Sequence, residues 1–142
     1  MISAVLDTNI LASGALTSST IPRQILKKWR DGKFELIVSQ HIINELKETL
    51  NKSYFRNLLK TQDIDDFLDL LLSEATLTLI TTKVRDVATH PEDDLVLATA
   101  ESGKASCVVT GDHGLQDLKK FKDIKIVSPR TFFEILHTKK AA

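Results

Sequence analysis

At 142 residues, with 42% apolar and 27% charged residues, the chain has the size and composition of one folded domain, and a disordered or fibrous segment is excluded. Its apolar runs fall well short of the roughly 18 residues a membrane helix needs. Nineteen Lys/Arg balance nineteen Asp/Glu, and a neutral total argues against tight nonspecific binding to nucleic acid.

The single cysteine excludes an internal disulfide, which points to a reducing, cytoplasmic setting. Cys107 lies in an apolar run and reads as a small buried strand residue. The opening Met-Ile-Ser-Ala-Val-Leu-Asp lacks the basic start of a signal peptide. The charges are uneven along the chain. Residues 1–60 carry nine bases against five acids, residues 61–101 two against ten, and residues 102–142 eight against four. Basic ends can follow a phosphate backbone locally, although solvated helix faces account for most such charges.

Taken in chain order, the first expected element is a strand over Ile2–Leu6. Thr20 caps a helix with Pro22 in its first turn and Gly32 just beyond its end. A strand over Phe34–Val38 follows, and Ser39 caps a helix over Gln40–Leu50. Asp63 is expected to cap a helix over Ile64–Glu74, where Phe67, Leu68, Leu71 and Leu72 recur at helical spacing. Strands over Thr76–Thr81, Ser106–Thr110 and Ile124–Val127 complete the set, with a buried helix over Glu92–Ser102 ended by Gly103. Ser128 and Pro129 start a last helix. No repeat or Pro/Gly-rich linker interrupts the pattern, so residues 1–142 read as a single domain. Strands alternating with helices imply an α/β fold with a mostly parallel sheet of about five strands between two helical layers. Ligands in such folds sit beyond the carboxyl ends of the strands.

Two of these strands run into an acid: Ile2–Leu6 into Asp7-Thr8-Asn9, and Ser106–Thr110 into Gly111-Asp112. Each alone is ordinary turn or cap chemistry; together they mark one edge of the sheet. On the helix Gln40–Leu50 the apolar stripe is Ile42, Ile43, Leu46 and Leu50. Glu45 borders that stripe while Glu48 points away from it, so Glu45 is the acid able to lean towards a cleft. A further acid comes from Glu92-Asp93-Asp94 at a helix start, where the helix dipole already favours negative charge. Periodicity does not choose between Asp93 and Asp94. Carboxylates that converge repel one another unless a cation joins them. A hard divalent ion such as Mg²⁺ or Mn²⁺ prefers oxygen ligands of this kind.

The segments Val5-Leu6-Asp7-Thr8-Asn9-Ile10-Leu11, Ser39 with Glu45, Pro91-Glu92-Asp93-Asp94-Leu95-Val96-Leu97-Ala98 and Val109-Thr110-Gly111-Asp112 occur here in one order and spacing. Together they resemble the PIN domain, in particular the small VapC-like PIN proteins that act as toxins of toxin–antitoxin pairs. The resemblance covers about residues 1–136. It implies a Rossmann-like three-layer fold and hydrolysis of RNA phosphodiester bonds with Mg²⁺ or Mn²⁺. The family's four acids fall on Asp7, Glu45, Asp94 and Asp112, the third placed by the aliphatic run that begins after Asp94. Asp7 and Asp94 would bind the principal metal, and Asp112 would hold it through water or bind a second ion. Glu45 would serve as base or as a ligand to a metal-bound water. The hydroxyls of Thr8 and Thr110 match positions beside the metal or the scissile phosphate, and Ser39 is expected with them among substrate-binding residues. Asn9 is structural in the family. The resemblance also implies that the strands ending in Asp7 and Asp112 lie side by side, and it implies a homodimer and an antitoxin partner. Many relatives carry one more acid where Gly114 stands, which weakens the case for a second metal. Competing readings are an inactive PIN scaffold that only binds RNA or protein, and a receiver or Asp-x-Asp phosphatase. The last two lack their required second acids here.

Overall fold

The computed structural model describes residues 1–16 and 19–141. Six strands form one sheet: β1 (Ser3–Leu6), β2 (Glu35–Val38), β3 (Thr76–Leu77), β4 (Cys107–Val109), β5 (Lys120–Phe121) and β6 (Ile124–Val127). Their order across the sheet is β3-β2-β1-β4-β6-β5. Every pairing is parallel except β5 with β6. The architecture is the expected mostly parallel three-layer α/β fold, with β5 as an added antiparallel edge strand. Strand β1 is buried along its whole length and β4 likewise, because helices cover both faces of the central strands.

Around the sheet lie α1 (Thr8–Gly14), α2 (Ile21–Arg30), α3 (Gln40–Leu50), α4 (Ser53–Arg56), α5 (Thr61–Glu74), α6 (Pro91–Ser102), α7 (His113–Gln116) and α8 (Pro129–Ala141). Three of the expected caps are made as read: Thr20 accepts from the Arg23 amide, Ser39 from Ile42, and Ser128 from Thr131. The expected cap at Asp63 is not. Helix α5 begins three residues earlier, and Asp63 instead reaches back from its first turn to accept from the Lys60 amide at 3.1 Å. Asp7 and Asp112 are themselves caps, of α1 and α7, two short helices not anticipated from periodicity because each is under two turns long.

Helix α6 is apolar on nearly all sides and buries Asp94 and every residue from Val96 to Ala100. Its C-terminal end approaches β2 so closely that a Cβ at Gly103 would stand 2.8 Å from Ile37 Cγ2. Glycine is what allows that contact. Cys107 is buried in β4, and burial pushes its thiol above the ordinary range. Among the described residues no helix is long and apolar enough to cross a membrane.

Candidate active site

Strand order reverses between β1 and β4, so their carboxyl ends open a crevice between diverging connections. The two strands lie side by side, as the resemblance implies, with Leu6 opposite Val109 and the Asp7 amide donating to the Val109 carbonyl at 3.0 Å. Asp7 and Thr110 therefore leave the sheet next to each other. Asp7 is only 8% exposed. Its Oδ1 accepts from the Ile10 amide at 3.0 Å, the N-cap bond of α1. Its Oδ2 accepts from the Thr110 hydroxyl at 2.5 Å. Burial raises the proton affinity of Asp7 against the lowering effect of Thr110 and the Ile10 amide. The carboxylates of Asp93 and Asp112 raise it further.

Thr110 is fully buried and its hydroxyl is a bridge. While it donates to Asp7, it accepts from the Asp112 amide at 3.0 Å, and its carbonyl accepts from Gln116 Nε2 at 2.6 Å. The acid after β1 and the acid after β4 are thus locked through one hydroxyl group. Thr110→Val, which keeps the shape, should strand both Asp7 Oδ2 and the Asp112 amide and cost about 1–3 kcal/mol. Urea unfolding of the variant checks this, and an unchanged midpoint would remove Thr110 from the scaffold of the site.

Asp112 is exposed, with Oδ2 accepting from the Leu115 amide at 2.7 Å. A Cβ at Gly114 would lie 3.2 Å from that same oxygen, so the Asp112 carboxylate leans into the space a side chain at 114 would need. On the opposite wall, α3 presents Glu45, partly exposed. Its Oε1 accepts from the Thr8 hydroxyl at 2.8 Å and lies 3.4 Å from His41 Nε2, one helical turn earlier. His41 Nε2 is buried without a hydrogen-bond partner, and the sequence reading did not include it. The i, i+4 spacing of His41 and Glu45 on one helix was the available signal.

Asp94, the expected third acid, is buried, and its Oδ1 accepts from the Ala88 amide at 2.7 Å, tying α6 to the segment before it. The neighbouring Asp93 lies within the electrostatic reach of Asp112 and Glu45. Its proton affinity is raised by partial burial, then by Asp112, with Glu45 and Glu92 adding to the effect and His90 opposing it. Asp93 in turn acts on Asp7. Asp7, Asp93, Asp112 and Glu45 therefore share one electrostatic neighbourhood at the switch point, and Asp94 adjoins Asp93 at the start of α6.

Ser39 is held inside the fold. It is 1% exposed, and its Oγ accepts from the Ile42 amide at 3.4 Å and from the Thr99 hydroxyl at 2.9 Å. Ser39→Ala should cost about 1 kcal/mol as a lost cap, visible in a thermal melt, and leave substrate affinity unchanged. Asn9 is exposed beside Asp7 and Thr8 and makes no side-chain hydrogen bond among the described residues. Among the described residues, no group of three His, Cys, Asp or Glu side chains closes into a metal cage. The cluster is an open arc of oxygen donors that repel one another.

The comparisons with known proteins agree with this geometry. The chain matches the PIN domain over residues 3–114. Its fold is similar to that in a crystal structure of VapBC2 from Rickettsia felis bound to a DNA fragment from their promoter, with a TM-score of 0.63 and 17% identity over 89% of this chain and 98% of that one. No curated protein sequence matches significantly. Strands β5 and β6 and helix α8 lie beyond the matched region and complete the sheet on the β4 side. The chain belongs to the PIN-domain family of nucleases.

Proposed function

We propose that this protein is a metal-dependent endoribonuclease and the toxin of a toxin–antitoxin pair. The observation that carries the reading is the gathering of Asp7, Asp93, Asp112 and Glu45 beyond the carboxyl ends of β1 and β4, where burial first, and then like charges, raise the proton affinity of Asp7 and Asp93. Such repulsion is the signature of a site built for a cation, and an all-oxygen donor set suits Mg²⁺ or Mn²⁺ better than softer metals. Asp7, Asp93 and Asp112 would hold it. When bound, the ion would neutralise charge on a phosphodiester and make a water nucleophilic near neutral pH.

The protein's own groups have separate tasks in this reading. Thr110 fixes Asp7 and the Asp112 turn in one geometry, so the ligand side of the site is preorganised. Thr8 fixes the carboxylate of Glu45, which takes the proton from the attacking water. Asp94 keeps the start of α6 in place by holding the Ala88 amide. An antitoxin protein as partner is supported by the similarity to VapBC2 and by the resemblance to toxin-type PIN proteins.

The test is cleavage of structured and single-stranded RNA by purified protein in Mg²⁺, in Mn²⁺ and in EDTA. Cleavage that needs the ion and disappears in Asp7→Asn supports the proposal. Cleavage undiminished in EDTA would overturn the metal assignment. RNA retained without cleavage in either ion would instead favour a binding scaffold.

A further inference from the structure

Glu45 reaches the acidic crevice from α3, and one of its two carboxylate oxygens has company. The Thr8 hydroxyl donates to Oε1 at 2.8 Å, and His41 Nε2 stands 3.4 Å from that same atom. Among the described residues Oε2 accepts no hydrogen bond. One oxygen is addressed from two sides while the other is free. The imidazole is the unfinished part of this arrangement. Its Nε2 is buried with no hydrogen-bond partner, a costly state for a polar atom. Its distance to Oε1 is slightly longer than an ordinary N–H···O bond. Hydrogen bonds around a catalytic base are often long in the free protein and tighten when substrate binds.

Helix stability does not account for the pair. His41 lies in the first turn of α3 and Glu45 one turn later, and a basic residue before an acidic one is the weaker order. The first turn of a helix favours acids over bases as well. Nor does α3 need the contact to stay in place. Ser39 caps it, and Ile42, Ile43, Leu46 and Leu50 bury its apolar stripe. What the spacing does achieve is to set a ring nitrogen beside a carboxylate on one rigid element. Because Nε2 is buried, it acts through Glu45 and not on the substrate.

We infer that His41 is a positioning residue for Glu45, its Nε2–H closing onto Oε1 when substrate binds. With the Thr8 hydroxyl it fixes the rotation of the carboxylate and leaves Oε2 to meet the attacking water. His41 keeps its own proton throughout. The inference rests on the nuclease reading and on Glu45 as its base, and it adds the group that aims that base.

The test compares steady-state RNA cleavage by wild type, His41→Leu and His41→Gln in saturating Mn²⁺. Leucine fills the space without a donor, whereas the glutamine amide can place an N–H where Nε2 stands. His41→Leu should lower kcat by about 10-fold with KM unchanged, the pattern of an interaction made only in the transition state. His41→Gln should recover most of that loss. In a Glu45→Gln background, His41→Leu should slow cleavage no further, because the two residues act as one unit. Calorimetric Mn²⁺ affinity should be the same in all variants. A His41→Leu protein that turns over like wild type would overturn the inference. So would a His41→Gln protein as slow as His41→Leu, a full further loss in the Glu45→Gln background, or weakened Mn²⁺ binding. A wild type that cleaves no RNA in Mn²⁺ or Mg²⁺ overturns the nuclease reading itself, and this inference with it.

Discussion

Asp93→Asn is expected to lower metal-dependent cleavage by about 100-fold or more, while Asp94→Asn keeps most of it. The two residues are neighbours in sequence and differ in direction. The Asp93 carboxylate is coupled to Asp112, Glu45 and Asp7, so neutralising it removes a charge from the group that would hold the ion, where catalytic losses are largest. Asp94 meets the Ala88 amide, and the oxygen of an asparagine can accept that same bond. Asp94→Ala cannot, and leaving the amide unpaired should cost about 1–3 kcal/mol. Single-turnover rates for Asp93→Asn and Asp94→Asn, with urea melts for Asp94→Ala, separate the roles. If Asp94→Asn is the inactive variant and Asp93→Asn the active one, the third acid is Asp94, as the aliphatic run after it suggests.

The second large effect is on stability. Asp7 and Asp93 hold protons more readily in the fold than the ordinary value of 3.8 allows. For a carboxyl group shifted in this direction, the folded state binds more protons than the unfolded one, so ionisation penalises folding. The penalty is complete above the raised pKa values and gone below about 3.8. In EDTA, therefore, stability should rise as pH falls from neutral through that raised range, before general acid denaturation begins. Asp7 is buried and dominates the effect; Asp93 is partly exposed, and solvent screening reduces its share. Asp7→Asn gives up one hydrogen bond at Thr110 or Ile10, yet should melt at or above wild type in EDTA at neutral pH. The gain is at most about 1 kcal/mol, or a few degrees for a domain of this size. Saturating Mg²⁺ or Mn²⁺ should reverse the ranking, since binding stabilises only the intact site, by about 2.7 kcal/mol at 100 times the dissociation constant. Thermal melts of wild type and Asp7→Asn across pH, with and without metal, test this. If wild type gains nothing from metal and Asp7→Asn melts far below it in EDTA, Asp7 is a structural cap alone.

Much of the site was legible from local rules. An aliphatic run followed by an acid marks a strand end, and this located Asp7 and Asp112 before their strands proved to be neighbours. The caps at Thr20 and Ser39 and the bounds Gln40–Leu50 follow from side-chain chemistry that acts over one turn. The border position of Glu45 on an amphipathic helix likewise predicts that it faces a cleft, because one apolar stripe fixes the rotation of the helix.

The tertiary structure decided what those rules leave open. Helix α6 has no polar face to fix its rotation, so nothing local distinguishes the direction of Asp93 from that of Asp94, about 100° apart around the axis. Its docking, with Gly103 seated against Ile37, sets that rotation and brings Asp94 Oδ1 to the Ala88 amide. Ser39 shows the same division. Its role as a cap is local, whereas its loss as a substrate contact depends on the Thr99 hydroxyl, 60 residues away in sequence. The bridge from Asp112 through Thr110 to Asp7 exists because β1 and β4 pair across 103 residues of chain. Short-range chemistry named the acids; the packing of a mostly buried helix against the sheet fixed where two of them lie.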